Sequence, residues 1–534
     1  AASRRAGASG VLLRDMESIS ELLERRARDD SNKPFCFFEG SSVSFGQLRV
    51  RVNRLASGFA ALGLRAGDRV AVMLANHLDH PVVFLALARL GATQVPVNVH
   101  LRGLGLEYVL AHSEARAIVA DERFARELAS SVSKRSLDLL VWRGAPVSVG
   151  SARSVRLDDA LAAATATPPR SAPAPEHVLS ITYTSGTTGP PKGVMLGERP
   201  YLLAGHVAGR LAEVRAGDVM LTWEPLYHIG GSQVIVACLQ HGVPMALLER
   251  FSASAFWDEA RRYRATQIHY LGGVLGLLLK QPPRPDDLAH SVRVAWGGGA
   301  PAHLWEPFER RFGVRIREAY GMTEAASFTT INLEGRVGSI GRPVPHFDVK
   351  IVTEDGRTAA AHETGQIVVR EREPGLLMKG YLKDDERTAE ALRDGWLHTG
   401  DFGARDAEGF FYFAGRTRDR LRRRGENVSA WEIEQVLSMH ANVETCAAIG
   451  VPSDVGDEDI KVFVKPVAGK RLDPLDLIRW CEGHLAYFQI PRYVEFVDDF
   501  PRTPTERIRK DQLSASVTTC WDLERSGDRT RRST

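Results

Sequence analysis

Ile19, Leu22 and Leu23 recur at helical spacing, which predicts an amphipathic helix near the start of the patterned chain. Residues 70–74 form a short apolar run behind the turn at Gly67-Asp68 and predict a buried strand. A helix over 81–90 and a strand over 93–97 follow. Strand–helix–strand alternation of this kind argues for a parallel sheet in an α/β fold. A stretch rich in Ala, Thr and Pro, 162–175, predicts a surface connection. The alternation then resumes, with strands over 219–222, 245–248, 267–271 and 292–295 and helices over 255–263 and 304–312. From 349 to about 412 the pattern changes to short strands with turns at Asp355-Gly356 and Glu408-Gly409, which predicts a smaller β-rich unit. Past Gly415 the chain is strongly basic, then alternates helix and strand to about 513. A domain boundary is placed near Thr417. The final segment, 514–534, is polar and aperiodic and is expected to be disordered.

Composition narrows the classes. The 534 residues exceed one domain, and 44% hydrophobic with 25% charged residues is ordinary for a soluble globular protein. No apolar run reaches the ~18 residues of a membrane span, because Arg89 interrupts the stretch 81–97. A net charge of +3 gives no support to a nucleic-acid partner. Only 11 of the 69 basic residues are lysine, which reads as coding bias. Cys36, Cys238, Cys446, Cys481 and Cys520 are scattered without CxxC spacing. That favours reduced thiols over a disulfide frame or zinc site. The paired arginines at Arg4-Arg5 imitate an export signal, but only residues 11–13 are apolar before Arg14 and Asp15, so none is predicted. The expectation is a cytoplasmic protein with neither a nucleic-acid nor a membrane partner.

The chemistry concentrates in TSGTTGPPKG, residues 184–193, directly after the strand-like Ile181-Thr182-Tyr183. Glycines such as Gly186 let backbone N–H groups approach a polyanion. The hydroxyls of Thr184, Ser185, Thr187 and Thr188 add donors, and Lys192 adds charge. The loop suits a triphosphate. It is not a Walker A loop, since Pro191 precedes the lysine and Gly193 follows it.

TSGTTGPPKG resembles the phosphate-binding signature of the adenylate-forming superfamily, which comprises acyl-CoA synthetases, carrier-loading adenylation domains and luciferases. Four further segments match in order: PLYHIGG at 225–231, GGGAP at 297–301, YGMTEA at 320–325, and GWLHTGDFG at 395–403 with GRTRDRLRRRGEN from Gly415. The middle of the chain resembles carnitine/crotonobetaine-CoA ligase-like members. The resemblance implies an α/β fold with a large N-terminal domain over 1–416 that binds ATP and the acid. That domain holds two α/β subdomains and a small β-rich one, and a small mobile α+β C-terminal domain follows over 417–513. It also implies residue roles. Thr323 touches phosphate and Glu324 helps hold Mg²⁺. Gly298, Gly299, Ala300 and Pro301 lie beneath adenine, and Tyr320 and Gly321 contact the nucleotide. Asp401 and Arg416 bind ribose hydroxyls, and Arg418 is the hinge. His228 sits beside the carboxylate, within a pocket that also holds Tyr227, Ile229, Trp296, Gly297 and Met322.

The implied reaction joins a carboxylic acid to AMP, releases pyrophosphate, and passes the acyl group to coenzyme A. Positioning and charge neutralisation supply the catalysis, and no protein nucleophile is needed. One departure stands out. The family's closing glycine–lysine pair is here Glu506-Arg507, within FPRTPTERIRKDQL, and Lys510 lies three residues further on. Arg507 as the replacement cation, adenylation without this contact, and altered chemistry all stay open, because a planar guanidinium is not equivalent to an ammonium. So do a diazotase that activates nitrite for an aryl amine, a ligase loading a carrier protein, and a binding module without turnover. The arginines between 416 and 424 read equally as a coenzyme phosphate site or a solvated face. The acid's identity and the oligomeric state, a homodimer included, are not legible.

Overall fold

The computed structural model describes residues 17–132, 137–162, 177–184, 191–325, 327–416, 420–423, 426–453, 458–485, 489–503 and 506–526; all counts below concern these. Two large sheets dominate. A seven-stranded sheet runs Arg153–Arg156, Leu139–Arg143, Ala117–Asp121, Arg69–Met73, Thr93–Pro96, Ser180–Thr184, Lys192–Leu196. Its pairings are parallel up to the last, an antiparallel hairpin. A nine-stranded sheet carries Gln267–Leu271, Val294–Gly298 and Arg315–Met322 as parallel neighbours.

The two sheets bury a layer of helices between them. Asp79–Leu90 has residues 80–90 all buried. Ile229–His241 and Glu198–Leu211 are nearly as enclosed. Helices apolar all round belong inside, not on a surface. One apolar cluster joins Val70 and Val72 of the first sheet, through Phe84, Val207 and Val236, to Met220 and Val294 of the second. The first helix, Ile19–Asp29, is set by a capping box in which Ser18 accepts from the Glu21 N–H and Glu21 reaches back to the Ser18 N–H. It buries Ile19, Leu22, Leu23 and Ala27.

The β-rich unit is present as Phe347–Val352, Gly365–Glu371, Leu392–Arg393, Trp396–Arg405 and Phe411–Arg416. Beyond it, a four-stranded sheet, the two-stranded sheet Arg420–Arg423/Glu426–Ser429 and the helices Ala430–Ser438 and Pro474–Glu482 enclose a separate apolar core that includes Leu421, Ile433, Val462 and Leu477. One expectation is corrected in part. Residues 514–526 do not behave as a disordered tail: Trp521–Asp522 pairs antiparallel with Tyr493–Phe496, Leu523 is buried, and Asp522 binds the Arg492 guanidinium. The strand expected at 292–295 runs instead as Val294–Gly298. Glycines extend it because the neighbouring strand is too close for a side chain: a Cβ on Gly297 would stand 1.8 Å from the Tyr270 carbonyl oxygen. The five cysteines are free, and among the described residues no helix is long and apolar enough to cross a membrane.

Candidate active site

The hairpin Ser180–Thr184/Lys192–Leu196 pairs Thr184 with Lys192, so the glycine-rich loop leaves one strand end and returns at the next. Ser185, Gly186, Thr187 and Thr188 lie outside the described residues. Lys192 Nζ donates to Tyr381 Oη at 3.0 Å and stands 4.1 Å from that ring's centre. Tyr381 Oη in turn donates to Glu324 Oε1 at 2.9 Å. The backbone sets this geometry. Residues 379–382 run beside the hairpin, with Met195 N–H donating to Gly380 O at 3.0 Å and Leu382 N–H to Gly193 O at 2.8 Å. Burial, then the Glu324 charge, pushes the Tyr381 hydroxyl far above its ordinary range, so it stays a donor. Glu324 sits on the short turn Thr323–Ala325 and is buried, not a surface carboxylate.

Tyr320, near the end of Arg315–Met322, reaches a second carboxylate. Its hydroxyl donates to Asp401 Oδ2 at 2.7 Å, and Asp401 is 2% exposed. Asp401 faces Arg416 across the ladder of Trp396–Arg405 with Phe411–Arg416. Arg418 lies outside the described residues. The turn at 298–301 is held from below by Glu318. Its Oε1 accepts the Gly299 N–H at 2.6 Å, its Oε2 accepts the Ala300 N–H at 3.0 Å, and Tyr270 Oη also donates to it. Gly299 turns at φ +89°, open to glycine, and Pro301 then leads into the helix Ala302–Phe312. Burial pushes the Glu318 carboxyl up to about 7.

The third part lies behind His228. Asn76 fixes the preceding loop: its amide donates to the carbonyls of Trp223 and Leu248 at 3.2 and 3.0 Å and accepts the Leu226 N–H at 3.0 Å. His228 then caps the helix Ile229–His241, flanked by Tyr227 at a ring separation of 4.7 Å. Burial pushes the His228 imidazole down to about 4, and the Arg507 charge adds to the shift. Glu224 is 4% exposed and lies against Gly230, and burial pushes its carboxyl up to about 7 although Arg507 opposes the shift. Its Oε2 is 3.3 Å from His269 Nδ1, but neither atom makes a hydrogen bond. Burial pushes His269 down to about 3, so the contact joins two groups that each favour neutrality rather than a salt bridge. Trp296 stacks edge-on against His269 at 4.5 Å, and Met322 and Ile229 are half-buried nearby in sequence to Tyr320 and His228.

The structure therefore links Lys192 to Glu324 through Tyr381, and Tyr320 to Asp401. Lys510 goes elsewhere, pairing with Glu434 at 2.9 Å. Tyr381, Glu318, Glu224, His269 and Asn76 escape the motif reading. Glu224 left a signal, as a lone carboxylate directly before PLYHIGG.

Residues 23–382 match the AMP-binding enzyme family, and 432–507 match the AMP-binding enzyme C-terminal domain. The chain belongs to the AMP-binding enzyme family. This AMP-binding enzyme is 32% identical over 517 residues to a crotonobetaine/carnitine–CoA ligase of Citrobacter koseri, covering 93% of the chain and 99% of the relative. Two solved structures align across it. The anthranilate CoA ligase AuaEII, in complex with anthranoyl-AMP, superposes with a TM-score of 0.85 at 26% identity, over 94% of this chain and 98% of that one. The o-succinylbenzoate coenzyme A synthetase of Bacillus subtilis, with ATP and magnesium ion, gives 0.79 at 26% identity, over 92% and 98%.

Proposed function

We propose that this AMP-binding enzyme is an acyl-CoA synthetase that activates a small carboxylic acid with ATP and transfers the acyl group to coenzyme A. The observation that carries this reading is the pair of tyrosine bridges, Lys192–Tyr381–Glu324 and Tyr320–Asp401. The first links a cation to a carboxylate suited to a metal, the second orients a carboxylate suited to ribose hydroxyls, and Tyr320 and Glu324 lie four residues apart in the chain.

In this reading Thr184, Lys192 and the loop between them hold the triphosphate. Asp401 accepts the ribose hydroxyls, and the turn at 298–301, stiffened by Glu318, lies beneath adenine. The donor set fits magnesium, which takes one or two carboxylates alongside substrate phosphates and water, and Glu324 supplies one. When bound, magnesium draws charge from the departing pyrophosphate. Lys192 and Arg507 neutralise the α-phosphate so that a second anion can approach it. A carboxylate oxygen of the acid then bonds to the α-phosphorus as the bond to pyrophosphate breaks in line. His228, neutral by burial, flanks that carboxylate without repelling or attracting it by charge. In the second half-reaction the thiol sulfur of coenzyme A bonds to the acyl carbon, AMP leaves, and the thiol proton goes to solvent. Residues 1–416 form the nucleotide- and acid-binding domain in this assignment. The domain over 417–513 turns about Arg418 between the two steps. Its separate apolar core, which takes in Leu523 past the expected bound at 513, supports a division near 417. The free thiols support a reducing, cytoplasmic setting.

The test is AMP and pyrophosphate release over a panel of acids, with and without coenzyme A, beside a nitrite-and-arylamine control. Acid-dependent pyrophosphate release with thiol consumption is expected. Turnover that needs nitrite and amine but no thiol overturns the reading.

A further inference from the structure

Three polar atoms behind His228 have no partner and belong to side chains almost wholly removed from solvent: Glu224 Oε2, His269 Nδ1 and Trp296 Nε1, with residue exposures of 4%, 1% and 0%. The side chains adjoin in series. Glu224 Oε2 is 3.3 Å from His269 Nδ1, and the His269 and Trp296 rings are 4.5 Å apart. A buried polar atom without a hydrogen bond costs about 1–3 kcal/mol, so three in one place call for an occupant. Their chemistry is mixed. A carboxylate oxygen accepts, an indole N–H donates, and a neutral imidazole does one or the other.

The cluster also borders the proposed site. The Glu224 carboxyl rests on Gly230 of the PLYHIGG segment, Trp296 immediately precedes Gly297, and the Arg507 charge reaches both Glu224 and His228. The backbone of the loop that bears Glu224 is itself tied down by Asn76.

We propose that Glu224, His269 and Trp296 form a recognition site for a substituent on the acid that both donates and accepts hydrogen bonds: a neutral amino group or a hydroxyl. This rests on the acid-activating reading of the site. An alkyl group leaves all three atoms unpaired. A quaternary ammonium has no N–H to give Glu224 and no lone pair for Trp296. A group able to do both satisfies acceptor and donor together, and the penalty for lacking it makes the discrimination steep, since unpaired buried groups reject isosteres far more strongly than a lost methylene does. The unpartnered Glu224 Oε2 can serve such a group as an acceptor.

The experiment is equilibrium binding of matched acids by calorimetry, with acid-dependent pyrophosphate exchange as a second readout. One set is 3-aminobenzoate, 3-hydroxybenzoate and 3-methylbenzoate. The other is 4-hydroxybutanoate and pentanoate, with 4-(trimethylammonio)butanoate added. The full chain is compared with Glu224→Gln and with Trp296→Phe, which removes the N–H together with part of the ring, so the ratio within a matched set rather than the affinity itself is read, and thermal melts verify that each is folded. The donor-bearing member of at least one set is expected to bind about tenfold or more better than its methyl partner, and both variants are expected to narrow that ratio. The amino and hydroxyl arms separate the two sources. Equal binding within both sets, a preference for the quaternary ammonium, no binding of any member, or a ratio untouched by both variants overturns the proposal, the last showing that the atoms serve an ordered water. Selective binding without acid-dependent exchange leaves this inference standing and overturns the synthetase reading instead.

Discussion

The hydroxyl of Tyr320 donates to Asp401 Oδ2 at 2.7 Å, joining a strand of the nine-stranded sheet to the β-rich unit at a carboxylate 2% exposed. Asp401 is aimed by a residue 81 positions away in sequence. Tyr320→Phe removes that donor while keeping the ring. The loss is about 1–2 kcal/mol in the carboxylate's positioning. The KM for ATP in pyrophosphate exchange is therefore expected to rise about tenfold, with a smaller fall in kcat. An unchanged KM detaches Asp401 from nucleotide binding.

Lys192 and Glu324 communicate through one phenol. Removing the cation by Lys192→Ala is expected to lower kcat of adenylation about a hundredfold, the scale of losing one preorganised charge contact. Tyr381→Phe keeps both charged ends and cuts both hydrogen bonds. Its expected effect is milder, about tenfold, with an increased magnesium requirement because Glu324 loses its orienting donor. A magnesium titration of exchange activity measures this. Full activity in both variants removes the cation and metal roles assigned here.

Arg507 and Lys510 are the two candidates for the lysine that the resemblance leads one to expect, and their surroundings differ. Arg507 acts electrostatically on Glu224 and His228, whereas Lys510 pairs with Glu434 on the helix Ala430–Ser438. Arg507→Ala is expected to slow adenylation about ten- to a hundredfold. Thioester formation from supplied acyl-adenylate is expected to persist. Lys510→Ala breaks a partly exposed ion pair, so stability is expected to fall by less than about 1 kcal/mol with adenylation unaffected. Separate half-reaction assays decide, and equal losses from both variants overturn the distinction.

The motifs made the reaction class and the alternation of elements legible, because both are local. The strand at Gln267–Leu271 follows from its own alternation of polar and apolar residues, and Lys192 follows from the spacing of its loop. Residues that act across the fold were invisible. Glu318 looks like any carboxylate until the turn at 298–301 is folded onto it. Tyr381 acquires meaning only when residues 379–382 lie along the phosphate hairpin. The segment after 513 failed for a related reason. Its polar pattern carries no period, yet two residues suffice to add an edge to a sheet whose remaining contacts are long-range. Only the departure at Arg507 was visible in sequence without its resolution, since choosing between Arg507 and Lys510 requires knowing which faces the site.

Glu318 provides a test through pH. Its carboxyl titrates near 7 in the folded chain and near 4.5 when solvated, because burial outweighs its three hydrogen bonds. The folded state thus holds the proton more tightly. Its contribution to stability is fully present below pH 4.5 and is lost as the pH rises through 7. Glu318→Gln cannot titrate, so the difference in unfolding free energy between the parent and this variant isolates the group. That difference, measured by denaturant titration at pH 5 to 8, is expected to fall with a slope of up to about 1.4 kcal/mol per pH unit and to level off above 7. The same ionisation strengthens the acceptor for the Gly299 and Ala300 N–H groups, so nucleotide affinity is expected to improve over the interval in which stability declines. A flat stability difference shows that Glu318 is already ionised at pH 5, held by those N–H groups against burial.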